Sequence, residues 1–210
     1  MATSMTSPDR DNVRLVLASA SPRRASLLRE KGYVFDVITP PLEEPDHLAE
    51  KATPTERAEA LSYFKARSVA TLVRHGTVLS GDTIVSLGDD IFGKPVDRDD
   101  ARRILGSLSG TTHEVITAVT LLDTASGGRV IRHDSTAVTM KAIAEADLEA
   151  YLDTGAWEGK AGAYGIQDRG DAFVTSIVGS FTNVVGLPME LVAEMLTAWG
   201  IEPQPSGVRS

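Results

Sequence analysis

The chain has no cysteine at all. That excludes a disulfide framework, a thiolate metal site and a cysteine nucleophile in one step. No apolar run approaches the ~20 residues that a membrane-spanning helix needs. The N-terminal MATSMTSPDRDN is polar and has no apolar signal core, so it reads as an extension and the chain as cytoplasmic. Positive charge is also scarce: Lys and Arg total 21 against 29 Asp and Glu, a net charge of -8. Such a balance argues against a general nucleic-acid binder, which needs a basic face. It leaves room for a local basic pocket. With 42% hydrophobic and 24% charged residues, the remaining composition is that of a soluble globular protein. A length of 210 residues suffices for a sizeable core. There is no internal repeat.

The informative residues are exceptions to folding rules. Leu15-Val16-Leu17 reads as a buried strand, followed by the Ser-rich ASAS loop. Ser21 suits an N-cap and Pro22 the first helical position, with Gly32 placed to end the helix. Arg23 and Arg24 then fall in the first turn, where cations oppose the helix dipole. An anion bound there would reverse the penalty, with backbone N–H groups, the Ser19 and Ser21 hydroxyls and two guanidinium groups converging on it. Two solvated arginines are the ordinary alternative.

A second strand is expected over 33–38, closed by Pro40-Pro41 and followed by the acidic pair Glu43-Glu44, which local evidence alone assigns to a solvated loop. Thr53-Pro54-Thr55-Glu56 is a capping box, opening a helix expected to reach about Arg74. Its apolar arc holds Ala58, Leu61, Phe64, Val69 and Leu72, and Lys65 lies inside that arc. Lysine on a buried face either snorkels or meets an anion. Thr77 to Leu87 alternates as a strand, yet Asp82 interrupts it. A carboxylate there is costly without a partner. Gly81 beside it permits close approach by a ligand. Lys94, between Gly93 and Pro95, sits on a rigid loop that a turn at Gly88 should return to the neighbourhood of Asp82. A plain salt bridge or a metal-bound phosphate would account for the pair.

Asp97 caps a helix through about Leu108. The runs 111–123 and 129–143, joined by Gly127-Gly128, read as a long hairpin and as scaffold. His113 and His133 lack metal-ligand spacing. A short helix is expected over 145–154, a strand over 173–178, a polar loop over 180–183 and a last helix opened by Pro188 and ended by Gly200. Between them lies KAGAYGIQDRGDAF, glycine-rich but unlike a P-loop or a dinucleotide fingerprint. Gln167 there offers one donor and one acceptor, which suits the imide edge of uracil or thymine. Asp168-Arg169 could equally be a surface ion pair.

LASASPRRASLL, SGDTIV, GKP, AGAYGIQ and GSFTNVVGLP, in this order and spacing, resemble the Maf family of nucleoside triphosphate pyrophosphatases, also called septum-formation inhibitor proteins. The resemblance covers 15–199. It implies an α/β fold like that of the inosine triphosphate pyrophosphatases: a long, mixed, twisted sheet flanked by helices in two lobes with a central cleft. A single domain would span 13–202, with an extension over 1–12 and a tail over 203–210. The implied reaction converts a nucleoside triphosphate to the monophosphate and pyrophosphate, with a divalent metal, Mg2+ or Mn2+, as cofactor and a homodimer as the assembly. The resemblance gives catalytic positions to Asp82, Lys94, Lys65 and Arg24. Substrate positions fall to Arg23, Thr83, Gln167, Ser19 and Ser21, and metal positions to Glu44 and Asp82. The Ser-Pro-Arg-Arg and Tyr-Gly-Ile-Gln runs resemble the subgroup acting on dTTP and UTP rather than that acting on 7-methyl-GTP. Two departures stand out: Ser80-Gly81 replaces the usual Gly-Ala, and Asp168 replaces the usual glycine. Two alternatives remain open, a pyrophosphatase for 7-methyl-GTP or a modified purine triphosphate, and a non-catalytic nucleotide-binding regulator of septum formation.

Overall fold

The computed structural model describes residues 14–42, 52–167 and 172–204. Glu43, Glu44, Asp168 and Arg169 therefore lie outside the described residues, as do the expected N-terminal extension and most of the expected tail. The first element is β1 (Leu15–Ala18), followed by α1 (Pro22–Glu30), β2 (Asp36–Ile38) and α2 (Pro54–Ala70). Then come β3 (Thr77–Leu87), β4 (Asp90–Phe92), α3 (Arg98–Leu108) and the hairpin of β5 (Thr112–Asp123) with β6 (Arg129–Met140). The chain ends through α4 (Glu145–Leu152), a single 3-10 turn over Ala161–Ala163, β7 (Val174–Val178), α5 (Phe181–Val185) and α6 (Met189–Ala198). No helix among the described residues is long and apolar enough to cross a membrane.

The strands form one mixed sheet of seven, in the order β2-β1-β3-β5-β6-β7, with β4 attached to β3. β1 runs parallel to β2 and β3; β3, β5, β6 and β7 pair antiparallel. Strand alternation sorts the core into two faces. Leu15, Leu17, Leu79, Val85, Val115, Val119 and Leu121 join the large cluster with α1, α3, α4 and α6. Their neighbours Val16, Ala18, Val78, Ile84, Ile116, Ala118 and Leu122 pack on the other face, against α2. A sheet buried on both sides is what the apolar runs of β1, β3 and β5 require.

One break in this sheet positions everything that follows. On one edge, β3 is covered by β1 from Thr77 to Ser80 and by β4 from Val85 to Leu87. Its other edge is paired with β5 throughout. Among the described residues, no strand covers the first edge over 81–84. The break holds Gly81, Asp82 and Thr83.

Several expectations need correction. The second strand is only Asp36–Ile38, and α2 stops at Ala70, which leaves Leu72 beyond the helix and 60% exposed. The polar stretch 180–183 is no loop. Ser180 accepts a hydrogen bond from the Asn183 N–H and caps the short helix α5. The helix α1 begins at Pro22 as expected, but the Ser21 side chain makes no capping hydrogen bond. Instead the Ser21 N–H donates to Ser19 Oγ at 3.1 Å.

Candidate active site

Asp82 is 7% exposed and points to the α2 face of the sheet, as its even register with Val78 and Ile84 requires. The α2 helix is pinned to that face by hydroxyls. Ser80 Oγ donates to the Ser62 carbonyl at 2.7 Å, and Ser62 Oγ lies 2.9 Å from Thr120 Oγ1. One helical turn on from Ser62, and two strand residues on from Ser80, Lys65 Nζ donates to Asp82 Oδ1. The lysine inside the apolar arc has thus met the carboxylate inside the strand. Their side chains are 13% and 10% exposed.

Thr83 points to the opposite face, where α1 delivers Arg24. The guanidinium is held on several sides: Nη2 donates to Thr83 Oγ1 at 3.0 Å, Nε to the Gly186 carbonyl at 2.8 Å and Nη1 to Ser19 Oγ at 3.4 Å. Arg23 reaches the loop on the far side, donating to the Gly159 carbonyl at 3.5 Å. No acidic residue occupies the first turn of α1 to neutralise this pair.

Because the break in β3 opens to both faces, Asp82 and Thr83 share one cavity of about 650 Å³. Every described residue proposed from the sequence lines it: Ser19, Ser21, Arg23, Arg24, Lys65, Asp82, Thr83, Lys94 and Gln167. Gln167 is exposed at its mouth. Lys94 returns to the cavity as the β3–β4 turn predicts. Glu44 is outside the described residues. Sequence reasoning passed over Lys160, which lines the cavity at 8% exposure and donates to the Ala156 carbonyl. Nothing in its local sequence marked it as buried. Among the described residues the lining carries Arg23, Arg24, Lys65, Lys94 and Lys160 beside Asp82 and Glu158, a local richness in cations within a chain of net charge -8.

Beneath the floor, His113 is 1% exposed, and its Nε2 lies 2.7 Å from the hydroxyl of Tyr164, a lining residue. Burial pushes His113 down to about 4 and holds the Tyr164 phenol above its ordinary range. Both are neutral near pH 7, and the pair anchors the stretch that carries Gln167.

The described residues contain no group of three or more His, Cys, Asp or Glu side chains that would cage a metal. A Mg2+-type arrangement needs less: one or two carboxylates, with substrate phosphates completing the shell. The buried Asp82 carboxylate beside a cavity rich in cations fits that donor pattern.

The model of the family described as Maf-like protein matches residues 14–199. The dTTP/UTP pyrophosphatase of Alkaliphilus metalliredigens is 46% identical over 184 residues, 87% of this chain and 94% of that one. The dTTP/UTP pyrophosphatase of Ruminiclostridium cellulolyticum is 43% identical over 183 residues, again 87% and 94% of the two chains. Among solved structures, a HAM1 protein from Coxiella burnetii matches at 16% identity and a TM-score of 0.42, over 61% of this chain and 73% of that one, a likeness too slight to argue from. Matched from its first strand to the end of its last helix, this chain belongs to the Maf-like family.

Proposed function

We propose that this protein is a nucleoside triphosphate pyrophosphatase that hydrolyses dTTP and UTP to the nucleoside monophosphate and pyrophosphate. The observation that carries the reading is the cationic cavity built around the buried Asp82–Lys65 pair. A triphosphate brings about four negative charges, and displacement at phosphorus adds charge to the leaving group. Arg23, Arg24, Lys65 and Lys94 supply fixed positive charge for it. Arg24 arrives already oriented by Thr83, Gly186 and Ser19, so little reorganisation is left for the reaction.

In this reading a water oxygen attacks the α-phosphorus, the bond from that phosphorus to the oxygen bridging to the β-phosphorus breaks, and pyrophosphate leaves. Asp82 accepts the proton of the water, while Lys65 fixes the carboxylate by holding Oδ1. Asp82 and Glu44 would hold a divalent cation, Mg2+ or Mn2+, which when bound neutralises phosphate charge. Gln167 pairs with the imide edge of the pyrimidine, and Arg23 and Thr83 border the same space. The names of the relatives support this choice of base. A homodimer and a cytoplasmic location complete the reading.

The test is pyrophosphate release from a panel of nucleoside triphosphates with Mg2+ or Mn2+. Metal-dependent release from dTTP and UTP is expected. Release from purine or 7-methyl-GTP substrates alone would overturn the role of Gln167. No release by folded protein would overturn the enzyme and favour a nucleotide-binding regulator of septum formation.

A further inference from the structure

The sequence motif GSFTNVVGLP, residues 179–188, touches the cavity, and of it the chemistry above uses only the Gly186 carbonyl that holds Arg24. Its place is set by what it holds. The α5 helix and the glycine that caps it supply two backbone carbonyls to the hydrogen-bond network around Arg24. Gly186 accepts directly from Nε at 2.8 Å. Asn183 accepts through a relay: Arg24 Nη2 to Thr83 Oγ1 at 3.0 Å, Thr83 Oγ1 to Thr117 Oγ1 at 3.0 Å, and Thr117 Oγ1 to the Asn183 carbonyl at 3.0 Å.

We infer that Thr117 is a positioning residue for Arg24, acting through Thr83. The inference rests on the phosphate-binding role proposed for Arg24. The polarity of the relay carries it. A guanidinium only donates and a carbonyl only accepts, so every hydrogen between them has one direction. The Thr83 hydroxyl hydrogen is committed to Thr117, and its oxygen is turned to accept from Arg24. Removing the Thr117 hydroxyl takes away the acceptor of that hydrogen, so nothing then fixes the Thr83 lone pairs toward the guanidinium.

The far end of the relay is rigid. Asn183 is fully buried, and its Nδ2 donates to the Val115 carbonyl at 2.8 Å and to Thr136 Oγ1 at 2.9 Å. Gly186 takes φ +130°, a conformation suited to glycine, and a Cβ there would sit 3.4 Å from Arg24 Nε. Thr117 itself is fully buried, lies directly opposite Thr83 in the β3–β5 register and is not among the residues lining the cavity. Any effect of Thr117 on substrate must therefore pass through its bonded partners, Thr83 on one side and the Asn183 carbonyl of α5 on the other. The competing account is a cross-strand threonine pair that merely stabilises the sheet. It predicts a loss of stability with no link to Arg24.

A double-mutant cycle separates the two accounts. Thr117→Val, Thr117→Ser, Arg24→Ala and the Thr117→Val/Arg24→Ala pair are compared by kcat/KM on dTTP and by Kd for inorganic tripolyphosphate. Thr117→Val should lose about tenfold in both, the scale expected if the Thr83 hydrogen bond to the charged guanidinium is lost with it. Thr117→Ser, which keeps the hydroxyl, should stay within about twofold of wild type, and adding Thr117→Val to Arg24→Ala should cost less than about twofold further. Wild-type behaviour of Thr117→Val, the same loss in both backgrounds, or no rescue by serine would overturn the inference. Should Thr117→Val not fold, Thr117→Ala takes its place; if neither folds, the hydroxyl belongs to the sheet and the inference fails. A wild type that turns over no nucleotide but binds tripolyphosphate through Arg24 would overturn the proposed function, and the coupling in Kd would then confirm or refute the relay. No Arg24-dependent binding would overturn both.

Discussion

Replacing Asp82 by asparagine is the sharpest perturbation of this site. The substitution keeps the volume and removes one charge from a pair whose side chains are 13% and 10% exposed. Breaking a fully buried pair typically costs about 3–5 kcal/mol, because the remaining charge is left without compensation. Here the pair borders a cavity of about 650 Å³, so water can approach the Lys65 ammonium. The expected cost is therefore lower, about 1–3 kcal/mol. For a domain of this size that is a fall in Tm of roughly 3–10 °C, leaving the protein folded at 25 °C. Turnover should respond far more strongly. Loss of a general base costs typically ~10²–10⁴-fold, and loss of a metal-holding carboxylate adds to it. Pyrophosphate release from dTTP, with a thermal melt of the same sample, reads both quantities. A folded variant that keeps more than about a tenth of wild-type kcat lies far outside the range expected for a lost general base, and would remove Asp82 from the centre of the reaction.

Other substitutions and conditions probe separate parts of the argument. Gln167→Ala should raise KM for dTTP and UTP by about tenfold or more with little change in kcat, since it removes hydrogen bonds to the base and not to the phosphates; an equal loss in kcat alone would contradict that role. His113 should make stability fall with acid. Its folded pKa of about 4 lies below the ordinary 6.5, so the unfolded chain binds the proton first, and stability declines as pH falls from 6.5 through 4. The full contribution is roughly 3 kcal/mol. Denaturant melts across that window should show a shallower slope for the His113→Phe/Tyr164→Phe double variant, and an unchanged slope would refute the assignment. Thr53→Ala breaks the reciprocal Thr53–Glu56 capping box and should cost about 1 kcal/mol, read as a shift in denaturant midpoint, with kcat unaltered.

How much of this was legible in the sequence depended on whether a residue broke a local rule. The bounds of β3 follow from alternation alone, and those of α3 from the Asp97 cap and the Ser109-Gly110 stop. Arg23 and Arg24 at a helix start, Lys65 in an apolar arc and Asp82 in a strand each violate a preference for that position, and the structure brings all four to one cavity. Residues that obey the local rules were invisible. Threonine is at home in a strand, so Thr117 in β5 reads as scaffold, although it stands two hydrogen bonds from Arg24. The α5 helix was missed for the converse reason. Thr182, Val184 and Val185 are poor helix formers, and five residues are too few to show a period. That helix exists because Ser180 caps it and because Asn183 is bonded into the sheet.

The break in β3 was hidden for a different reason. A strand shows its own alternation but not what lies beside it. The run from Thr77 to Leu87 is continuous in sequence, whereas its neighbour on one edge changes from β1 to β4. Among the described residues, no strand covers that edge in the interval between them, and the interval borders the cavity. A carboxylate at Asp82 and a hydroxyl at Thr83 would be costly in a fully covered strand. Placed in the interval, they point to opposite faces and still border the same cavity, so one two-residue step joins Lys65 on α2 to Arg24 on α1. The acidic strand residue that looked like a defect thus sits on the step between the two helices' cations, and the concentration of positive charge around that step is what would suit an acidic protein to a polyanion.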